Sequence, residues 1–275
     1  MPRSIYKSAS DLAAMVPAGL LTASALDAVA AAIEPGVTTL ELDAIAERTI
    51  RAGGGEPNFA LVPGYRHTIC ASVNDAVVHG MPNDVPLKPG DLVSIDCGAL
   101  LGGWNGDSAR TFLVPGGEDA ARNAVAAELS RVTEGAMWRG LAAVATSRHL
   151  HAVGEAIEDW IDEQGDYGIL DDYTGHGIGR DMHEDPTVYN YRVRGRGPVI
   201  KPGLALAIEP LVTAGSNEVK TDADEWTVRT VDGSLGAHWE HTILVHARGV
   251  WVSTAVDGGA AGLAPHGVTP VDPRA

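Results

Sequence analysis

Apolar positions in the first fifty residues recur at helical spacing. Leu26, Val29 and Ile33 share one face, and Pro35-Gly36 ends that segment. Thr38-x-x-Glu41 has the spacing of a capping box and predicts a second helix through Leu42, Ile45, Thr49 and Ile50, stopped by Gly53-Gly54-Gly55. Between residues 59 and 114 the texture changes to short β-branched runs separated by Gly, Pro, Asn and Asp, which predicts strands and turns. Helical spacing returns over 118–135 (Ala121, Val125, Leu129, Val132) and 147–164 (Leu150, Val153, Ile157, Ile161). Strand texture resumes at 204–212, 226–231 and 241–246. Beyond Trp251 the chain is rich in Gly, Ala and Pro and is expected to form a mobile tail over 251–275.

The order is therefore helix, helix, strands, and then the same again. Leu87-Lys88-Pro89-Gly90-Asp91-Leu92-Val93-Ser94-Ile95-Asp96 aligns with Ile200-Lys201-Pro202-Gly203-Leu204-Ala205-Leu206-Ala207-Ile208-Glu209. In both, a Lys-Pro-Gly turn leads a β-run to a carboxylate. This pattern predicts an internal duplication with halves of about 8–116 and 117–250. Each half pushes an acid toward the common seam. The fold class expected is α+β, an antiparallel sheet covered by helices on one face.

Composition narrows the functional classes. The 275 residues are 45% hydrophobic and 20% charged, ordinary for a folded chain. Lys and Arg number 20 against 36 Asp and Glu, a net charge of −16. That balance argues against a nucleic-acid partner, which needs clustered positive charge, and against an anionic membrane surface. No run of about 18 apolar residues stands out, so no membrane span is expected. Nor does an apolar region follow the basic residues of Met-Pro-Arg-Ser-Ile-Tyr-Lys, so no signal peptide is expected. Cys70 and Cys97 suggest no disulfide framework, which points to a reducing, cytoplasmic setting.

Five segments carry polar residues that local propensity does not explain. They are Ser94-Ile95-Asp96-Cys97-Gly98, Gly106-Asp107-Ser108-Ala109-Arg110, Gly175-His176-Gly177-Ile178-Gly179 with His183-Glu184-Asp185-Pro186, Ala207-Ile208-Glu209-Pro210, and Trp239-Glu240-His241-Thr242. Gly175-x-Gly177-x-Gly179 lacks the spacing of a dinucleotide loop. His183-Glu184 begins like a zinc-protease motif, but the second His is missing and Pro186 would break the required helix. His238 and His241 are expected at the surface, as are His149 and His151 on a helical segment. Asp96, Asp107, His176, Glu209 and Glu240 together offer four carboxylates and an imidazole, a donor set for two divalent ions. Two such ions, about 3.5–4 Å apart, can share a water and acidify it. His79 and His183 remain as hydrogen-bonding groups for a substrate.

These segments, with Asn74-Asp75-Ala76-Val77-Val78-His79-Gly80-Met81-Pro82, resemble the type I methionine aminopeptidases from about residue 8 to 250. The resemblance implies the duplicated pita-bread fold of the creatinase and aminopeptidase group, with the site at its seam. It further implies that Asp96 chelates one ion, that His176 and Glu209 bind the other, and that Asp107 and Glu240 bridge both. His79 and His183 are implied to hold the scissile amide, and Glu209 to accept the proton of the attacking water. The native ion is left open among Co, Mn, Fe, Zn and Ni. The implied substrate is the N-terminal Met of a peptide or nascent chain with a small second residue, which also allows a transient ribosome contact. Proline-specific relatives usually carry a large N-terminal domain, for which Asp96 leaves no room. Type II enzymes carry an insertion between the last two glutamates, here only 31 residues apart. Creatine hydrolases and non-catalytic binding members have lost metal ligands that are all present here.

Tyr65, Cys70 and Trp226 match positions of the implied side-chain pocket, and Phe59 is expected to help shape its apolar slot. Val62 and Met182 depart from it, since the family usually has aromatic rings at both. Two alternatives follow: a secondary paralogue with shifted N-terminal specificity, or a non-catalytic peptide-binding member.

Overall fold

The computed structural model describes residues 4–275. Two helices come first, α1 (Ala9–Ala30) and α2 (Thr39–Ala52). They are followed by β1 (Glu56–Pro57), β2 (Ile69–Val73), β3 (Ala76–Val78), β4 (Leu92–Leu101) and β5 (Trp104–Leu113). A second pair, α3 (Ala120–Thr146) and α4 (Ala152–Gln164), precedes β6 (Gly168–Ile169), β7 (Gly175–Gly177), β8 (Glu184–Val188), β9 (Ala205–Ile208) and β10 (Leu211–Thr213). The chain closes with β11 (Val219–Thr221), β12 (Val228–Thr230), β13 (Gly236–His238), β14 (His241–His246), β15 (Gly249–Val252) and α5 (Ala260–Leu263).

Local chemistry explains the helix starts. Ser8 with Asp11 caps α1, and Thr38 with Glu41 caps α2 as the spacing predicts. Helix α1 begins well before Leu26, because Leu12, Met15 and Val16 are buried on the same element. By length and composition α1 is apolar enough to cross a membrane, contrary to the expectation above. Its apolar residues are spent on β4, β5 and α2 instead. Helix α3 runs past 135 because Ala136, Met137, Gly140 and Leu141 continue its buried stripe. His149 and His151 therefore fall in the connection before α4 and are half-buried, with His151 against Tyr189. They are neither helical nor on the open surface.

All sheet pairings are antiparallel. β4 and β5 form a ten-residue hairpin in full register, from Leu92↔Leu113 to Leu101↔Trp104. Its two-residue turn is Gly102-Gly103, both at positive φ, as a tight hairpin requires. β1 and β2 pair with β4, and a five-stranded sheet runs β15-β14-β9-β7-β8. One core lies under α1 and α2, with Leu26, Leu42, Ile50, Ile69 and Ile95. Another lies under α3 and α4, with Leu129, Met137, Ile157, Leu206 and Ile243. A third, of Leu12, Met15, Trp104, Ile178, Ala205 and Leu244, joins the first helix and hairpin to the second set of strands.

The segment expected to be a mobile tail is packed down. Val252 and Leu263 are fully buried, the Val271 N–H donates to Val250 O at 2.9 Å, and His246 Nε2 donates to Val271 O at 2.8 Å. Its few apolar residues suffice because they meet the α3 and β14 core.

Where α1 crosses β5, backbone lies on backbone. A Cβ at Gly106 would sit 2.7 Å from the Cα and N of Gly19, and Thr22 Oγ1 donates to Gly106 O at 3.1 Å. Gly106→Ala must push α1 away, and overpacking of this kind costs about 1–3 kcal/mol. Urea unfolding is expected to show a lower midpoint for Gly106→Ala at unchanged slope. An unshifted midpoint would mean that the crossing is not tight.

Candidate metal centre and substrate pocket

The hairpin sets the first two acids. Asp96 pairs with Ala109 and Asp107 with Gly98, so the two carboxylates are diagonal neighbours on one face of β4–β5. On the facing sheet, His176 in β7 pairs with Ala207 in β9, and Ile208 pairs with His241 in β14. That register brings the residue after β9, Glu209, beside the residue before β14, Glu240. Both Lys-Pro-Gly turns place their glycine at positive φ, Gly90 at 84° and Gly203 at 110°, and each strand that follows delivers an acid to the same cavity.

The two sheets are stitched along β5. The Glu240 N–H donates to Ala109 O at 2.9 Å, and the Ala109 N–H to Glu240 O at 3.3 Å. Thr242 Oγ1 donates to Asp107 O at 2.8 Å and accepts the Asp107 N–H at 3.2 Å. Ser108 Oγ donates to Glu240 O at 2.7 Å, and Thr111 Oγ1 to His238 O at 2.7 Å. Every polar backbone group near Asp107 and Glu240 thus has a protein partner, which fixes where their side chains point.

The carboxylates themselves are not satisfied. Asp96 Oδ1, Asp107 Oδ1, Glu209 Oε1 and Glu240 Oε1 are buried without a hydrogen-bond partner. Burial lifts the Asp96 carboxyl to about 7. Burial lifts Asp107, Glu209 and Glu240 well above the ordinary range, and the charge of neighbouring acids adds to it. His176 is pushed down to about 4 by burial and then by His183, so it is neutral. Its Nδ1–H donates to Gly177 O at 2.9 Å, which leaves the lone pair on Nε2. That lone pair faces Glu209 Oε1 at 3.3 Å, an approach of two electron-rich atoms that makes no hydrogen bond. A divalent cation held by His176 and Glu209 would turn that repulsion into attraction. Donor atoms of Asp107, His176 and Glu240 also lie within 4.8 Å of one another. The chemistry and burial of this donor set fit a divalent ion.

The same cavity, about 320 Å³, continues into an apolar half lined by Phe59, Val62, Tyr65, Cys70, Met182 and Trp226. Tyr65 is held by donating to Ile69 O at 2.7 Å, with the Trp226 ring 5.0 Å and the Phe59 ring 6.4 Å away. His79 and His183 line the same cavity, and burial lowers the pKa of both. The His183 ring is 4.4 Å from that of His176. His79, at a positive φ of 56°, rests edge-on against Tyr173 at 5.7 Å. All thirteen residues singled out from the sequence for the site and its pocket, Val62 and Met182 included, thus line one cavity.

Two expectations about histidines are corrected. His238 and His241 are 2% and 5% exposed, not at the surface. Each lies on a strand covered from both sides, so alternation alone could not reveal its burial. His238 Nε2 lies 3.8 Å from Glu209 Oε2 and has no hydrogen-bond partner. Asp172, Tyr173 and Thr174 also line the cavity and carried no motif, and Val78, next to His79 in the Asn74–Pro82 segment, lines it as well. Glu184–Val188 is a strand, so the segment from His183 has no zinc-protease helix.

Comparison with known proteins agrees with this geometry. Methionine aminopeptidase 1 of Mycobacterium tuberculosis is 46% identical over 245 residues, covering 87% of this chain and 90% of the relative. Its Bacillus subtilis counterpart is 42% identical over 252 residues, with coverage of 92% and 99%. The crystal structure of methionine aminopeptidase from Rickettsia prowazekii superimposes with a TM-score of 0.85 at 36% identity, covering 93% of this chain and all of that one. Prolidase from Pyrococcus furiosus, at 23% identity and a TM-score of 0.68, shares the fold alone. The α+β pita-bread architecture expected from the sequence therefore holds. With the profile of metallopeptidase family M24 matching residues 13–247, across both sheets and every buried acid of the cavity, the chain belongs to that family.

Proposed function

We propose that the protein is a divalent-metal-dependent aminopeptidase that removes N-terminal methionine from peptides and nascent chains, preferring a small second residue. The observation that carries this reading is one cavity with a cluster of unsatisfied acids at one end and a slot for an unbranched apolar side chain at the other. Relatives named methionine aminopeptidase match most of the chain. A non-catalytic peptide-binding role is disfavoured because no donor of the set is missing. A secondary paralogue with altered specificity stays tied to Val62 and Met182, which soften the slot.

Asp107 and Glu240, central to the cluster, would bridge two ions, with Asp96 completing one and His176 and Glu209 the other. Asp96 and Glu209 line the same cavity as the triad of Asp107, His176 and Glu240, with Glu209 Oε1 3.3 Å from His176 Nε2, so five donor residues are available. Cobalt, manganese, iron, zinc or nickel would suit the donors. When bound, the ions supply Lewis acidity at neutral pH. The chain's own groups do the rest. The apolar slot takes the methionine side chain and excludes water around the scissile bond. Neutral His79 and His183 donate to the amide from the wall of the cavity. Glu209, whose carboxyl is raised above its usual range by burial, is suited to take the proton of the attacking water.

The lysine-proline-glycine turns and the two helix pairs support reading the chain as two halves, about 8–116 and 117–250, that meet at this cavity. Free thiols at Cys70 and Cys97 fit a cytoplasmic setting, where a nascent chain and transient ribosome contact would supply the substrate.

The test is cleavage of Met-Ala-x and Met-Lys-x peptides by chelated protein reloaded with each ion, followed by mass spectrometry. Rapid release of Met from Met-Ala-x alone is expected. Protein that binds no divalent ion and hydrolyses neither peptide would overturn the proposal. Asp107→Ala and Glu240→Ala are expected to lose both metal and turnover. His79→Ala and His183→Ala are expected to keep metal and lose kcat by roughly 10²–10³-fold, the usual effect of a missing donor at a developing oxyanion.

Metal affinity should depend on pH in a stated direction. Carboxyls raised by burial, Asp96 to about 7, hold protons that an ion must displace, whereas His176 near 4 is already neutral. Affinity is therefore expected to be weaker at pH 6 than at pH 8, with protons released on binding. Calorimetric titration in buffers of different ionisation enthalpy checks both.

Met182→Phe restores a ring to the slot, where sulfur–aromatic contact is worth about 0.3–1.5 kcal/mol. The ratio of kcat/KM for Met over Leu peptides is expected to rise. An unchanged ratio would remove residue 182 from the specificity pocket.

A further inference from the structure

We infer that His238 is a positioning residue for Glu209, turning its Nε2–H toward Oε2 of the carboxylate so that Oε1 is held toward His176. The inference deepens the proposed function, since it rests on Glu209 being the group that takes the proton of water.

The backbone of His238 has no freedom to move. Its N–H donates to Thr111 Oγ1 at 3.0 Å and Ser94 Oγ at 3.2 Å, and its carbonyl accepts from Thr111 Oγ1 at 2.7 Å. It pairs with Leu211 in β10, two residues beyond Glu209. The side chain therefore leaves a fixed point beside the carboxylate. Nε2 is buried without a hydrogen-bond partner, in a residue only 2% exposed, and Glu209 Oε2 is 3.8 Å away. Buried polar atoms are rarely left unpaired, and catalytic hydrogen bonds are often long until a site is filled.

Glu209 thus lies between two imidazoles that face it differently. His176 spends its N–H on Gly177 O and presents a lone pair to Oε1. His238 has its Nε2 toward Oε2, and a carboxylate beside an imidazole favours the tautomer that points N–H at it. Rotation of Glu209 toward His238 shortens the 3.8 Å gap and opens the crowded 3.3 Å approach on the other side. One imidazole then orients the carboxylate, and the other shares its free oxygen with whatever lies between them. A residue with this role matters to the rate more than to ground-state binding, because it acts on the proton acceptor and not on the slot.

Two variants separate this role from simple filling of space. His238→Gln keeps a neutral donor, whereas His238→Leu keeps bulk and removes it. His238→Leu is expected to lose about tenfold in kcat at near-constant KM, the size of one hydrogen bond that counts in the reacting arrangement, while His238→Gln stays within about threefold. Bound metal, measured by mass spectrometry, is expected to be the same in both. Independently of turnover, ¹⁵N spectra of the full-length protein, with and without zinc, are expected to show a protonated His238 Nε2. That signal should shift in Glu209→Gln. Full kcat in His238→Leu, equal losses in both variants at equal stability, or a lone-pair-bearing His238 Nε2 would overturn the inference. Wild-type protein that cleaves no peptide would defeat the proposed function, and the ¹⁵N spectra would still decide this one.

Discussion

Asp107 and Glu240 come from opposite sheets and stand side by side because β5 and the start of β14 are tied together backbone to backbone. The Glu240 amide and the Ala109 carbonyl form the shorter of the two backbone ties, and the hydroxyls of Ser108, Thr111 and Thr242 complete them. Carboxylates buried this closely repel each other and lose their hydration, so a looser scaffold would let them swing apart. Here the strain cannot relax through the backbone. Glu209 and Asp96 approach the same point from β9 and β4, whose registers are fixed by β14 and β5. The unsatisfied oxygens follow from that rigidity, and a divalent ion is what satisfies them.

The same rigidity explains why so much of the molecule lies behind the cavity. Helices α1 and α2 clamp the hairpin, with Gly19 on Gly106 one residue from Asp107. Helices α3 and α4 bury the back of β9 and β14. The core of Met15, Trp104, Ile178 and Leu244 locks the two parts where they meet. Against this frame the apolar slot is the softer half. Tyr65 is anchored by its hydroxyl, but Val62 and Met182 offer adaptable walls.

Histidines do three jobs in a small volume, and their surroundings decide which. His176 turns a lone pair inward because its other nitrogen is occupied by Gly177 O. His79 and His183 line the cavity that holds both the acids and the apolar slot. His238, deeper still, turns its Nε2 toward Glu209, with His79 also nearby. All are held neutral by burial, so each acts through the orientation of a lone pair or an N–H and not through charge.

The sequence by itself determined the helix-helix-strand order, the capping box at Thr38, and the residues that meet in the cavity. These were legible because local spacing sets caps and alternation, and because the polar segments are unusual where they stand. Only the tertiary structure decided that α1 reaches back to Ala9, that the end of the chain packs onto α3 and β14, and that His238 and His241 are buried. Burial is a property of what lies on the other side of a strand. For His238 that is β10 on one edge and Thr111 on the other, more than a hundred residues away for the latter, and no local pattern encodes it.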